Sequence, residues 1–165
     1  MLTASFARPV GMFDNAFNKF TSVITGGSYC HSEFIFSFNK DKFKKFLEHV
    51  GEEVESWEKK IERYNDDGMI HLCLFIVWGS EVGFRLLRRD HNNPYYRYPT
   101  ESEFGIIELN KLSEEEQFEV GKYIFEQRKK TYDYFGALTF FIPLRSSSVT
   151  YNKYFCSQLM VAALQ

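Results

Sequence analysis

The sequence lacks features that define several large classes of protein. It contains no stretch of about 18 uninterrupted apolar residues, so no transmembrane segment is expected. The first nine residues lack a charged start followed by an apolar core, and they therefore do not resemble a signal peptide. Only three cysteines are present, at irregular spacing, which excludes a disulfide framework. We therefore expect a protein of a reducing intracellular compartment such as the cytoplasm.

Several functional motifs are missing as well. There is no G-x-G-x-x-G, no phosphate loop and no G-x-S-x-G, so nucleotide binding and serine hydrolysis have no support. No C-x-x-C pair and no histidine pair at helical spacing is present, and neither a metal nor another cofactor is predicted. The net charge of −2 does not supply the basic surface of a general nucleic-acid binder, so no nucleic-acid partner is expected.

The composition is that of one soluble globular domain. The length of 165 residues suits a single domain spanning residues 1–165, with 44% apolar and 25% charged residues. Aromatic residues are unusually frequent, at 18% of the chain, and 18 of them are phenylalanine. This richness indicates either a tightly packed aromatic core or an aromatic contact surface.

Apolar spacing predicts three helices before the end of the chain. The first covers Phe13–Ile24 and would stop at Gly26-Gly27. A long amphipathic helix is predicted over residues 40–65, with Gly51 as the place where it would break. A capping box at residues 113–116 opens a third helix that runs to about residue 130.

Four segments have the β-branched, aromatic and apolar character of strands. They alternate with the helices, and two of them are separated by so short a connection that a hairpin is the simplest geometry. The predicted fold class is therefore α+β, with a small, mostly antiparallel sheet packed against helices. The predicted strands are residues 29–38, 69–78, 82–88 and 105–109.

A candidate nucleophile stands where the last apolar helix begins. The helix starts at or just before Cys156, which would place the thiol among unpaired backbone N–H groups at the positive end of the helix dipole. The adjacent Ser157 and Gln158 put polar groups beside it. A cysteine among apolar residues is more often an inert core residue, as Cys73 is expected to be.

A candidate base lies far upstream, in the predicted strand 29–38. His31 and Glu33 are two residues apart and therefore point to the same face of a strand. Glu33 would hold the imidazole of His31 in one tautomer, although an ordinary solvent-facing carboxylate is an alternative. Cys30 is a rival nucleophile that should face the other way, and His71 is a weaker candidate base.

Two further groups of residues carry open alternatives. Arg85, Arg88 and Arg89 would hold an anionic substrate or would simply mark a solvated strand end. Tyr95, Tyr96 and Tyr98 occupy a polar, proline-containing loop over residues 90–104. Their rings suit a lipid-like or aromatic ligand, or a protein interface.

Four short motifs taken together resemble one known family. They are H-S-E at residues 31–33, G-F-R-L-L at 83–87, Y-D-Y-F-G at 132–136 and F-C-S at 155–157. The combination resembles the circularly permuted papain-like hydrolases of the NlpC superfamily, which include YiiX-type bacterial proteins, relatives of lecithin:retinol acyltransferase and proteins of large DNA viruses. In the permuted members histidine precedes cysteine, as here. The resemblance runs from about Gly26 to Leu164, and residues 40–65 would be a helical insertion.

The resemblance implies roles for particular residues. Cys156 would be the nucleophile, His31 the general base, and the backbone N–H of Cys156 an oxyanion donor. The third polar residue stays open between Glu33, on the same strand face, and Ser80 or Glu81, near the end of the next strand.

Two functions of different classes follow. The resemblance implies a cysteine hydrolase or acyltransferase that acts on an amide or ester bond, with a peptide, isopeptide or lipid ester as substrate. The alternative is a non-catalytic structural or interaction protein on the same fold, such as a minor, capsid-associated component of a virion. The helix-start Cys156 and the strand residue His31 favour the enzyme, whereas the long segment 40–65 and the tyrosine-rich loop favour the alternative.

Overall fold

The computed structural model describes residues 1–25, 28–76, 80–133 and 156–165. Some of the predictions lie outside these residues. They are the helix stop at Gly26-Gly27, the last part of the strand predicted over 69–78, the final residues of the Y-D-Y-F-G motif and the first residue of F-C-S.

A five-stranded sheet forms the centre of the described structure. Its strands lie in the order β4-β3-β2-β1-β5, and every neighbouring pair is antiparallel. Strand β2 is central and is paired on both sides. The strands are β1 (Leu2–Ala7), β2 (His31–Asn39), β3 (Met69–Phe75), β4 (Gly83–Leu87) and β5 (Phe104–Glu108).

The described helices connect these strands or pack on the sheet. Two short 3-10 turns, Gly11–Phe13 and Pro94–Tyr96, lie in the connections. The helices are α1 (Ala16–Thr25), α2 (Lys40–His49), α3 (Val54–Arg63), α4 (Glu114–Glu126) and α5 (Cys156–Ala163). None of the helices in the described part of the chain has the length and apolar character needed to cross a membrane.

The α+β class, the antiparallel sheet and the four predicted strands are confirmed, but strand β1 was not predicted. It pairs with both β2 and β5 and joins them into one sheet. Its alternate residues Thr3 and Ser5 are polar although both are buried, so hydropathy does not mark the segment as a strand. The segment 40–65 is two helices, α2 and α3, and Gly51 lies between them with φ +76°.

The two faces of the sheet differ sharply in chemistry, because residues directly opposite in an antiparallel pair point to the same face. One face, here called the helix face, is apolar and packs against α2, α4 and α5. Its central residues are Ala4, Phe34, Phe36, Phe38, Leu72, Leu74 and Leu86. The other, here called the polar face, carries buried polar side chains. They include Ser5, His31, Glu33, Ser37, His71 and Arg85.

Aromatic side chains fill the core between the sheet and the helices. The ring of Phe46 on α2 is fully buried and lies 5.7 Å from Phe36 and 5.1 Å from Phe38, centroid to centroid. On its other side it meets Phe118 at 5.4 Å and Phe125 at 5.6 Å. Much of the aromatic content of the sequence is therefore core packing.

Truncating this central ring is expected to destabilise the fold strongly. Phe46→Ala should lower the free energy of unfolding by about 3–5 kcal/mol, because it removes buried apolar surface and leaves a cavity between α2, α4 and the sheet. Phe20→Ala is the matched control, since Phe20 on α1 is 54% exposed, and its effect should stay within about 0.5 kcal/mol. Urea unfolding followed by circular dichroism measures both; equal effects would contradict the assignment of Phe46 to the core.

Candidate active site

The last described helix brings a thiol to the beginning of the central strand. Helix α5 begins at Cys156 and packs through Leu159 and Met160 into the core on the helix face. Cys156 itself is half-buried and contacts that core. Its sulfur meets the imidazole of His31 and the backbone and hydroxyl of Ser32, the first two residues of β2. Cysteine and histidine, far apart in the chain, are therefore neighbours in the fold.

The imidazole of His31 is held from three sides. It forms a hydrogen bond with the thiol of Cys156, and its Nε2 lies 3.5 Å from Oε2 of Glu33. Since Nε2 faces the carboxylate, Nδ1 is the ring nitrogen left for the sulfur. The ring of Phe13 stacks on the imidazole, with centroids 5.1 Å apart and planes at 24°. Packing against Phe13 therefore holds the imidazole of His31 between the Cys156 thiol and the Glu33 carboxylate.

Cys156 and His31 stabilise each other's charged forms. Burial opposes ionisation of the Cys156 thiol, but the hydrogen bond and charge of His31, together with Ser32, outweigh it and lower the pKa. Burial would likewise lower the pKa of His31, yet its contacts with Cys156 and Glu33 raise that pKa to about 9. These contacts therefore favour the thiolate–imidazolium form of the pair over the neutral form.

The carboxylate beside His31 is Glu33, which is 1% exposed. Its Oε2 also accepts a hydrogen bond of 2.8 Å from Nη2 of Arg85 on β4. Burial alone would raise the pKa of Glu33, but the charge of Arg85 and then that of His31 lower it. The other two candidates for the third polar residue were Ser80 and Glu81. Glu81 is exposed and forms an antiparallel β-bridge with Thr131 through its backbone. The hydroxyl of Ser80 donates a hydrogen bond to the carbonyl of Glu81.

The interpretation of Arg85 as part of a solvated strand end is wrong. Arg85 is 5% exposed, and its guanidinium lies 4.6 Å from the ring centroid of Phe75 and 4.5 Å from that of Tyr95. Arg88 and Arg89 do remain at the surface, where Arg88 pairs with Asp90. Register separates them: position 85 faces Cys73 across the β3–β4 pair on the polar face, whereas Arg88 follows the end of β4.

Arg85 and Ser32 are the site residues that sequence reasoning did not assign. A signal for Arg85 existed, because a single arginine inside an apolar strand needs a buried acid, and Glu33 is a single acid inside another apolar strand. The pairing itself requires knowledge of which strands lie side by side. Ser32 gave no signal beyond its place between His31 and Glu33.

The other two cysteines lie near the site but are held as thiols. Cys30 precedes β2, and its sulfur lies 3.4 Å from the carbonyl oxygen of Ala7. Burial, and then the neighbouring Cys156, raise the pKa of Cys30 to about 11. Cys73 is fully buried on the polar face beside Arg85 and Glu33, and burial raises its pKa well above the usual range. The prediction that Cys73 is a core residue is confirmed.

His71 belongs to a different polar cluster, so it does not serve Cys156. Its Nδ1 lies 2.8 Å from the hydroxyl of Ser37 and its Nε2 lies 3.9 Å from Asp66. Ser37 is six residues further along β2 than His31, which corresponds to about 20 Å. Serine, histidine and aspartate are here the residue types of a hydrolytic triad, but Ser37 is buried and the ring of Tyr98 covers His71 at 4.5 Å.

The tyrosine-rich loop covers the polar face. The ring centroid of Tyr95 lies 4.5 Å from the guanidinium of Arg85, and the ring of Tyr98 lies 4.5 Å from that of His71 with the planes tilted by 59°. The ring of Tyr96 lies 5.3 Å from that of His91. All three tyrosines are half-buried. The loop is therefore a packed cover over charged and polar side chains. Within the described residues no group of three or more histidine, cysteine or acidic side chains is placed to hold a metal ion.

The three cysteines should differ in their reactivity in mild acid. At about pH 6 iodoacetamide is expected to modify Cys156 and to leave Cys30 and Cys73 unmodified, since only Cys156 has a lowered pKa. Peptide mass spectrometry after a short exposure measures the modification at each position. The two other cysteines serve as internal controls, and modification of Cys30 at the rate of Cys156 would contradict the assignment.

Comparisons with protein-family models, with curated proteins and with solved structures gave no match to this chain.

Proposed function

We propose that the protein is a papain-like cysteine hydrolase or acyltransferase that acts on an amide or ester bond, with Cys156 as nucleophile, His31 as base and Glu33 as the group that orients His31. The observation that carries this proposal is the buried chain of contacts from the Cys156 thiol through the His31 imidazole to the Glu33 carboxylate. A nucleophile, a base and an orienting group in contact are the arrangement that covalent catalysis requires.

The chemistry proceeds in two steps. The thiolate of Cys156 attacks the carbonyl carbon of the substrate and forms a carbon–sulfur bond, and His31 donates its proton to the departing amine or alcohol. The resulting thioester is then attacked by water or by an acceptor, which gives its proton to His31. Cys156 is released as the thiolate beside a protonated His31, so the site returns to its starting state.

The beginning of α5 suits the developing oxyanion. Backbone N–H groups in the first turn of a helix have no acceptor within the helix, and the helix dipole adds positive potential there. The N–H of Cys156 is the donor next to the reacting carbonyl, in the role of an oxyanion-hole donor. Peptides, isopeptides and lipid esters all present the carbonyl that this site requires.

A reducing intracellular compartment fits this chemistry, because the nucleophile has to remain a free thiol. All three cysteines are free in the structure, and Cys156 lies close enough to Cys30 to help raise the pKa of the Cys30 thiol. An oxidising compartment would favour oxidation of the thiolate over attack on an acyl group.

The second proposal, a structural or interaction protein such as a minor virion component, draws on exposed apolar side chains. Val23 on α1 is 79% exposed and Ile107 on β5 is 55% exposed, and Phe20 adds a ring on α1. Such a protein has no need of an acyl-enzyme. The catalytic proposal is favoured over this one, because an ion pair between Cys156 and His31 would not contribute to a contact at the protein surface.

The catalytic proposal predicts an acyl-enzyme on one residue. Incubation with p-nitrophenyl acetate should give a burst of p-nitrophenol and an acetylated protein, detected by intact mass, with the label on Cys156. His31→Ala should reduce the acylation rate by about 10²–10⁴-fold because it removes the imidazolium that stabilises the Cys156 thiolate and donates the proton. The rate should be highest between the lowered pKa of Cys156 and about pH 9, above which His31 loses its proton.

Cys156→Ala is the control for nonspecific acylation, and Cys30→Ala is the matched control for a cysteine outside the pair. A protein that folds normally but forms no acyl-enzyme with this ester, or with a thioester of the same acyl group, would contradict the proposal and favour the interaction protein.

A further inference from the structure

We propose that Arg85 is a positioning residue of the active site: it keeps the Glu33 carboxylate charged and directed at His31, and thereby maintains the thiolate–imidazolium pair at Cys156. The inference rests on the proposed function for its purpose, but it concerns an ion pair that can be tested on its own. Arg85 does not contact the reacting atoms.

The charged side chains from Cys156 to Arg85 balance one another in a largely buried position. Thiolate, imidazolium, carboxylate and guanidinium alternate in sign from Cys156 through His31 and Glu33 to Arg85 and sum to zero. Without Arg85 the other three would carry a net negative charge in a buried position, which is strongly unfavourable. One of them would then bind a proton. Whether the proton goes to Glu33 or to Cys156, thiolate formation becomes harder.

Arg85 and His31 approach the same oxygen atom of Glu33. One carboxylate oxygen of Glu33, Oε2, lies 2.8 Å from Nη2 of Arg85 and 3.5 Å from Nε2 of His31. A bond from Arg85 therefore determines where the atom that faces His31 can lie. Arg85 approaches from β4, whereas His31 and Glu33 share β2, so the guanidinium fixes the carboxylate from outside its own strand.

Arg85 is itself held in place by aromatic rings. Its guanidinium lies within 4.6 Å of two ring centroids, those of Phe75 on β3 and Tyr95 in the loop that covers the polar face. Stacking on aromatic rings suits the planar guanidinium and not the ammonium of lysine. The titratable groups around the Glu33–Arg85 pair are His31, Cys73 and Tyr95. A buried arginine this firmly placed is not available to bind an anionic substrate.

The experiment measures the rate of Cys156 alkylation by iodoacetamide from about pH 4 to about pH 10 in a set of folded variants. In Arg85→Met the acidic midpoint is expected to rise by about one unit or more, the size of effect that a neighbouring opposite charge produces. In Arg85→Lys, which keeps the charge, the rise should be smaller. Arg88→Met, which alters an arginine at the surface near the end of β4, is the matched control and should leave the midpoint unchanged.

A second background tests whether Arg85 acts through Glu33. Adding Arg85→Met to Glu33→Gln should shift the midpoint by less than half of its effect in the wild type, because there is no carboxylate left to hold. Circular dichroism and thermal unfolding establish which variants are folded. If Arg85→Met does not fold, Arg85→Gln replaces it as the neutral variant. Whichever neutral variant is used, Arg85→Lys should retain the reactivity of Cys156 at low pH.

The outcomes separate the two proposals. A wild-type protein in which Cys156 reacts like a free thiol would overturn the proposed function itself. A wild-type protein with reactivity at low pH that a folded, neutral variant at position 85 retains would overturn only the role of Arg85. An equally large shift in the Glu33→Gln background, or loss of the reactivity in Arg85→Lys, would overturn it as well.

Discussion

A carboxylate buried away from water has to be matched by positive charge, and the organisation of the polar face follows from that constraint. Glu33 lies inside the sheet with a guanidinium on one side and an imidazole on the other. Ionisation at this position is stable only because both partners are in place. Strand β4 supplies the guanidinium, β2 supplies the imidazole, and the rings of Phe75 and Tyr95 enclose the arginine. Glu33 thus links β2 to β4 across the intervening strand β3.

The apolar half of the molecule makes this possible. Aromatic packing on the helix face fixes α2 and α4 against the sheet, and α5 enters the same core through Leu159 and Met160. That packing, and not the polar contacts, supplies most of the free energy that places the first turn of α5 at the beginning of β2. Once α5 is in place, the charged side chains of the polar face need only small changes in position to form their contacts. The helix face of the sheet therefore supplies most of the stability, and the polar face carries the buried ionisable side chains.

The sequence predicts the elements of this fold better than it predicts their contacts. Local sequence patterns predict four strands, the break at Gly51 and the capping box that opens α4, because each of these features depends on residues close together in the chain. Strand β1 was not predicted from the sequence, because Thr3 and Ser5 are polar residues that the fold buries. The grouping of His31 with Glu33 follows from the alternation of a strand. The Arg85–Glu33 pair depends on register between β2, β3 and β4, which local pattern does not encode.

The arrangement also makes the lowered pKa of Cys156 depend on the docking of α5. His31 is part of a central strand, whereas Cys156 arrives on α5, an eight-residue helix separated from it by most of the chain. A contact between segments so distant in sequence carries a large entropic cost of loop closure, which the packing of α5 has to offset. Before α5 docks, Cys156 has neither the imidazole nor the Ser32 contacts that lower its pKa, and it is an ordinary thiol. The lowered pKa of Cys156 is thus a property of the folded chain and not of the segment that carries it.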